Sequence, residues 1–159
     1  MQTPSTAARS GRQIAGRVIV TAANNFVERP WGGTQLRELK AFCSLPDQVE
    51  VAGAGLGESF ELSAFDDDRE AAEHPSRILG PNGSVDLLPQ LVREHAEALL
   101  GERWIAKYGR CIPLLPKFLN VRELLSVQGH PAGHTEAYIV VSAEPGATIR
   151  LGFRDEIDP

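Results

Sequence analysis

The sequence predicts a mainly β protein with a few helices, an α+β chain whose strands build a sandwich or barrel. Three observations lead there. Short apolar stretches that alternate or are β-branched recur along the chain, Pro- and Gly-containing turns separate them in the C-terminal half, and one stretch near 89–100 carries helical periodicity. With 42% hydrophobic and 23% charged residues over 159 positions, the chain has a globular balance and enough length to bury a core. No apolar run approaches the ~20 residues of a membrane-spanning helix. The 16 basic and 21 acidic side chains leave a formal charge of −5, which argues against a protein that coats nucleic acid or anionic lipid. Cys43 and Cys111 are too few for a disulfide scaffold and read as free thiols of a reducing, cytoplasmic setting. Oligomeric state leaves no mark.

Residues 1–17 carry Arg9, Arg12 and Arg17 and no acid, so a flexible N-terminal extension is expected, with an organelle transit peptide as the alternative. The main domain is expected over 18–159. Val18-Ile-Val-Thr21 is β-branched and predicts a strand. Arg29-Pro-Trp-Gly-Gly33 predicts a turn, and Thr34 then caps a short helix with Leu36 and Leu39 inward. Gly53-Ala-Gly-Leu-Gly57 lacks dinucleotide spacing and reads as a loop. In Glu58-Ser-Phe-Glu-Leu-Ser63 the alternation puts Phe60 and Leu62 on one strand face.

Asp66-Asp-Asp68 through His74-Pro75 is polar and reads as a surface loop. Pro89 suits a first helical position, and that helix is expected to stop at Gly101 with Leu88, Val92 and Leu99 as its apolar stripe and His95 among them. Beyond Pro113 the chain turns β-rich. Strands are expected over 114–119 and 123–128 around a turn at Asn120-Val-Arg122, and over 137–143 and 148–153 around Glu144-Pro-Gly-Ala147, where Pro then Gly fits a type II turn.

Ser126-Val-Gln-Gly-His-Pro-Ala-Gly-His-Thr-Glu136 is the richest stretch. Gln128 and His130 are two apart and share a strand face, and Glu136 follows after a tight loop. Amide oxygen, imidazole and carboxylate together suit a borderline divalent ion such as zinc, while solvent-exposed loop histidines are the plainer reading. Lys117 lies inside an apolar run, where an outward-facing strand lysine and a functional one are both open.

Leu124-Leu-Ser-Val-Gln-Gly-His-Pro131 followed by Thr135-Glu-Ala137 resembles the metal-binding core of type I mannose-6-phosphate isomerases. Four further pieces resemble that family in order: Arg29-Pro-Trp-Gly-Gly33, Gly57-Glu-Ser-Phe-Glu-Leu-Ser63, Pro113 to Phe118, and Ala143-Glu-Pro-Gly146 with Leu151-Gly-Phe153. The resemblance implies a cupin-like antiparallel barrel or jelly roll, incomplete at its C-terminal end, and zinc-dependent interconversion of mannose 6-phosphate and fructose 6-phosphate. It implies zinc ligands at Gln128, His130 and Glu136, a phosphate contact at Ser126, and an active-site lysine at Lys117. His134 stands where the family commonly has lysine, and either binds phosphate or substitutes as a metal ligand. The family's fourth zinc ligand and a phosphate-binding arginine lie further downstream, so the resemblance implies the front part of the usual enzyme. A non-catalytic cupin-like module that binds metal or a sugar phosphate is the alternative.

Overall fold

In a computed structural model the described residues are 20–41, 55–64, 69–80, 82–127 and 135–150. Five strands and four helices form among them, in the order β1 (Phe26–Gly33), α1 (Gln35–Lys40), β2 (Leu56–Phe60), α2 (Arg69–Glu73), β3 (Arg77–Leu79), β4 (Val85–Leu87), α3 (Leu88–Leu100), α4 (Glu102–Tyr108) and β5 (Lys117–Leu119). The α+β class holds. The expected barrel is not seen: among the described residues a three-stranded antiparallel sheet, β1-β2-β5, and a two-stranded one, β3-β4, form and neither closes.

Arg29-Pro-Trp-Gly-Gly33, expected as a turn, is the second half of a bulged strand. Glu28 and Gly33 both stand opposite Leu56, so the residues between them bow out of the ladder. The bow suits Pro30, which has no N–H to give a ladder. It also swings Trp31 across to the chain beyond β5, where the Trp31 carbonyl accepts from Arg122 N–H at 2.9 Å and Gly32 bridges Val121. The glycines are needed for close approach rather than for unusual dihedrals. A Cβ on Gly32 would sit 2.5 Å from the Gly55 carbonyl oxygen.

β2 is the central strand, and all five of its residues are buried. It starts at Leu56, inside the stretch expected as a loop, and ends at Phe60, so Leu62 lies beyond it. Thr34 precedes α1 without a side-chain capping bond, Leu36 is buried as expected, and Leu39 is exposed instead. Phe26, Ser59 and Phe118 stand side by side across the three strands, and Phe26, Leu36 and Leu56 form one core cluster with Phe118 against it. Helix α1 thus covers that face of the sheet.

A second cluster joins Ala64, Ile78, Leu88, Leu91 and Val92, with Leu62, Leu99, Leu100 and Ile112 packed on it. Helix α3 forms over the expected stretch, with Pro89 in its first turn and Gly101 at its end at φ 77°, but it is kinked at His95, whose φ −133° and ψ 29° are not helical. The surface loop expected before His74 is corrected in part: residues 69–73 form α2, whose Ala71 is wholly buried, because the Ser63 hydroxyl donates to the Ala71 carbonyl and pins the helix down. The β3-β4 hairpin turns through Gly83 at φ 74°, an angle that favours glycine. Of the expected strand 18–21, residues 18 and 19 lie outside the described residues. Thr21 bridges Ile78 there. The strand expected over 114–119 shrinks to β5.

The chain divides into two units, Met1–Leu125 and Ser126–Pro159. The elements above belong to the first. In the second, the turn at Glu144–Ala147 forms, closed by Ala147 N–H to the Glu144 carbonyl at 3.0 Å with Gly146 at φ 85°. The strands expected around it are not present in the described residues 137–143 and 148–150, and described residues 123–127 carry none either. The N-terminal extension, Cys43, Gln128, His130 and His134 lie outside the described residues. Cys111 is a free, exposed thiol. No helix among the described residues is long and apolar enough to cross a membrane.

Candidate active site

Alternation along β2 sends Glu58 and Phe60 to the sheet face opposite α1. Register then fixes their neighbours. Phe60 stands beside Lys117 of β5, and Glu58 stands between Val27 of β1 and Leu119 of β5. Arg29 reaches the same place from the bow in β1.

A buried carboxylate cannot stay charged without partners, and Glu58, about 5% exposed, has two. Arg29 donates to Oε2 through both Nε, at 2.9 Å, and Nη2. Lys117 Nζ donates to Oε1 at 3.3 Å and lies 4.8 Å from the centre of the Phe60 ring. The arginine therefore grips one oxygen with a planar fork, while the lysine holds the other at long range and rests on an aromatic face. Among the described site residues expected from the sequence, half-buried Lys117 lies in this cluster of charged and aromatic side chains.

His74 completes the cluster. Its ring meets Phe60 edge-on, with centroids 5.7 Å apart at 66°. Its pKa is lowered from the usual 6.5, first by burial and then by the Arg29 charge, against a smaller opposing pull from Glu73 and Glu58. The imidazole is thus neutral at pH 7. On the other face Ser59 donates to Glu61 Oε1 at 2.7 Å, and Lys40 pairs with Oε2 of the same carboxylate at 2.5 Å.

Ser126 and Glu136 belong to the second unit, where both are exposed; Glu136 Oε2 accepts from the Tyr138 hydroxyl at 2.7 Å. Among the described residues no group of three or more His, Cys, Asp or Glu side chains could hold a metal. The amide–imidazole–carboxylate set expected at Gln128, His130 and Glu136 fits zinc by donor chemistry.

Sequence reasoning missed Arg29, Glu58 and His74. Arg29 and Glu58 each sit in a stretch quoted for the family resemblance, Arg29-Pro-Trp-Gly-Gly33 and Gly57-Glu-Ser-Phe-Glu-Leu-Ser63, and that shared membership was the available signal. His74 had none, because its role depends on the edge contact with Phe60.

Residues 70–147 match the family described as "Phosphomannose isomerase type I, catalytic domain". Over 139 residues the chain is 28% identical to "Putative mannose-6-phosphate isomerase YvyI" of Bacillus subtilis, covering 80% of this chain and 38% of that one. Over 136 residues it is 30% identical to "Mannose-6-phosphate isomerase" of Streptococcus mutans, covering 77% of this chain and 36% of that one. The chain thus spans little more than a third of the length of these relatives. A solved structure titled as "a putative mannosephosphate isomerase from Archaeoglobus fulgidus" shares 30% identity over 52% of this chain and 22% of its own, with a TM-score of 0.37. The family read from the motifs is the one these comparisons return: type I phosphomannose isomerase, over the catalytic-domain stretch 70–147.

Proposed function

We propose that the chain is the N-terminal part of a zinc-dependent aldose–ketose isomerase, cupin-like in fold, that interconverts mannose 6-phosphate and fructose 6-phosphate. The observation that carries this reading is the family match over 70–147, a stretch that contains Lys117, Ser126, Gln128, His130, His134 and Glu136. Gln128, His130 and Glu136 would hold the zinc, which supplies Lewis acidity that eases charge build-up on the sugar oxygens.

The isomerisation removes a proton from C2 of the open-chain aldose while O1 gains one, and the enediol then loses its O2 proton and gains one at C1. No net electron transfer occurs. Lys117 is suited to donate a hydrogen bond to whichever sugar oxygen carries negative charge, since an ammonium group has three N–H donors and no acceptor. Ser126 would donate its hydroxyl to a phosphate oxygen. His134 would add charge to the phosphate only in its protonated form, which makes it a weaker anchor than a lysine near neutrality.

The test is isomerase activity of the full 159-residue chain on mannose 6-phosphate, with zinc added and then chelated. Chelator-sensitive formation of fructose 6-phosphate is the expected result. A folded, zinc-loaded chain that binds mannose 6-phosphate without turnover would overturn catalysis by this chain and favour a binding module.

A further inference from the structure

Helix α2 has five residues, far below the ~12–15 at which an isolated helix begins to persist in water. Its wholly buried Ala71 joins neither of the two apolar clusters. The chain just after it is anchored through His74. The His74 carbonyl accepts from Asn25 Nδ2 at 2.8 Å, and the Asn25 carbonyl accepts from Phe60 N–H at 2.9 Å, so one buried asparagine clasps both residues. The His74 N–H donates to the Ala71 carbonyl at 3.3 Å, and the His74 ring meets Phe60 edge-on at 5.7 Å. Three separate pieces of chain therefore meet at this residue: the approach to β1, the middle sheet strand β2, and α2. From this junction we infer that His74 is an acid-released fastener: uncharged, its ring holds residues 69–76 to the sheet at Phe60, and charged, it lets them open while β2 and α3 stay formed.

Charge decides which state wins. A half-buried, edge-on aromatic contact suits a neutral imidazole. Protonation would bring a further cation to a place that already holds two. Arg29 of β1 acts on the ring, and Lys117 of β5 lies 4.8 Å from the centre of the same Phe60 ring. Glu58 of β2 and Glu73 of α2 pull the other way, but Glu58 is engaged by Arg29 and Lys117, and burial with the Arg29 charge prevails. Proton uptake therefore favours the opened segment, where water solvates the imidazolium, and the closed one is intact above pH 6.5 and weakens below it. Two further tethers, the Ser63 hydroxyl to the Ala71 carbonyl and Ser76 N–H to the Ser63 carbonyl, both at 2.9 Å, carry no titratable group. Opening would bare the Phe60 ring beside Lys117; that regulatory meaning rests on the proposed function, and the opening itself does not.

The experiment is hydrogen–deuterium exchange of the full chain at pH 7.5 and pH 5.5, read by peptide mass spectrometry and corrected for the intrinsic pH dependence of amide exchange. Opening of peptides covering 69–76 should rise several-fold at the lower pH, by at most about tenfold, the ceiling that one unit below 6.5 sets for a single histidine. Peptides covering 56–60 and 88–100 should keep their protection. His74→Phe leaves a ring for Phe60 to meet but no charge to gain, and it should abolish the difference; the wild-type comparison stands even where that variant fails to fold. Equal protection of 69–76 at both pH values, a loss that persists in His74→Phe, or a loss shared by 56–60 and 88–100 would overturn the inference. Isomerase activity plays no part in this readout, so failure of the proposed function and failure of the fastener are told apart.

Discussion

Leu56-Gly-Glu-Ser-Phe60 has only two apolar residues while Tyr138-Ile-Val-Val141 is apolar and β-prone throughout, yet it is the first that forms a strand. The first is central in a sheet, with all five residues buried, and its alternate side chains are spent on two faces. The second, in the other unit, shows no strand and is exposed throughout, with Ile139 at 88%. Strand propensity describes how well a residue fits a pleated, half-buried surface, and it is realised only when neighbouring strands supply that surface. β2 gains its surface from β1 on one side and β5 on the other, and from α1 above.

The largest effect that sharpens this contrast is expected from Phe26, 1% exposed in the cluster under α1. Phe26→Ala should cost roughly 3–5 kcal/mol in chemical denaturation, through lost transfer energy and the cavity left behind. Gly32→Ala comes next, at about 1–3 kcal/mol, because its Cβ would meet backbone of the chain beside β2 that cannot rotate away. A cost near zero there would mean that β1 does not bow over Gly55.

The pH dependence of stability should carry a signature of His74. Its folded pKa lies below 6.5, so the unfolded chain takes up a proton there first. Stability from this group is therefore intact above pH 6.5, falls as pH drops below that value, and stops falling once pH passes the lowered folded value. Glu and Asp titration add their own slope at lower pH. His74→Gln should flatten the His74 portion of the curve near pH 6, and an unaltered slope would place the imidazole in solvent. The smallest effect belongs to the second unit. Ile139→Ala should change stability by no more than about 0.5 kcal/mol, and a loss of 2 kcal/mol or more would show that 138–141 is packed after all.

Local signals with a local cause were readable in the sequence. Pro89 and Gly101 bracket α3 because a missing N–H and a positive φ are properties of those residues themselves, and Pro145-Gly146 forms its turn for the same reason. Non-local features were not. The glycines of Arg29-Pro-Trp-Gly-Gly33 suggested a turn, while their role is to let β1 pass close to Gly55 and Asn120. Residues 137–143 read as a strand, without any way to know whether a partner is present. For the site, Lys117 was legible as a lysine in an apolar run; Glu58, Arg29 and His74 were not, since register and the bow in β1 bring them together. The metal ligands expected at Gln128 and His130 lie outside the described residues and rest on the family motifs.

Zinc content is the most direct test of the central claim. The full chain, loaded with zinc and dialysed, should retain about one ion per chain, and Gln128→Ala and His130→Ala should each lose it while keeping the wild-type circular dichroism. Zinc retained unchanged in both variants would contradict the proposed metal site and the isomerase chemistry built on it.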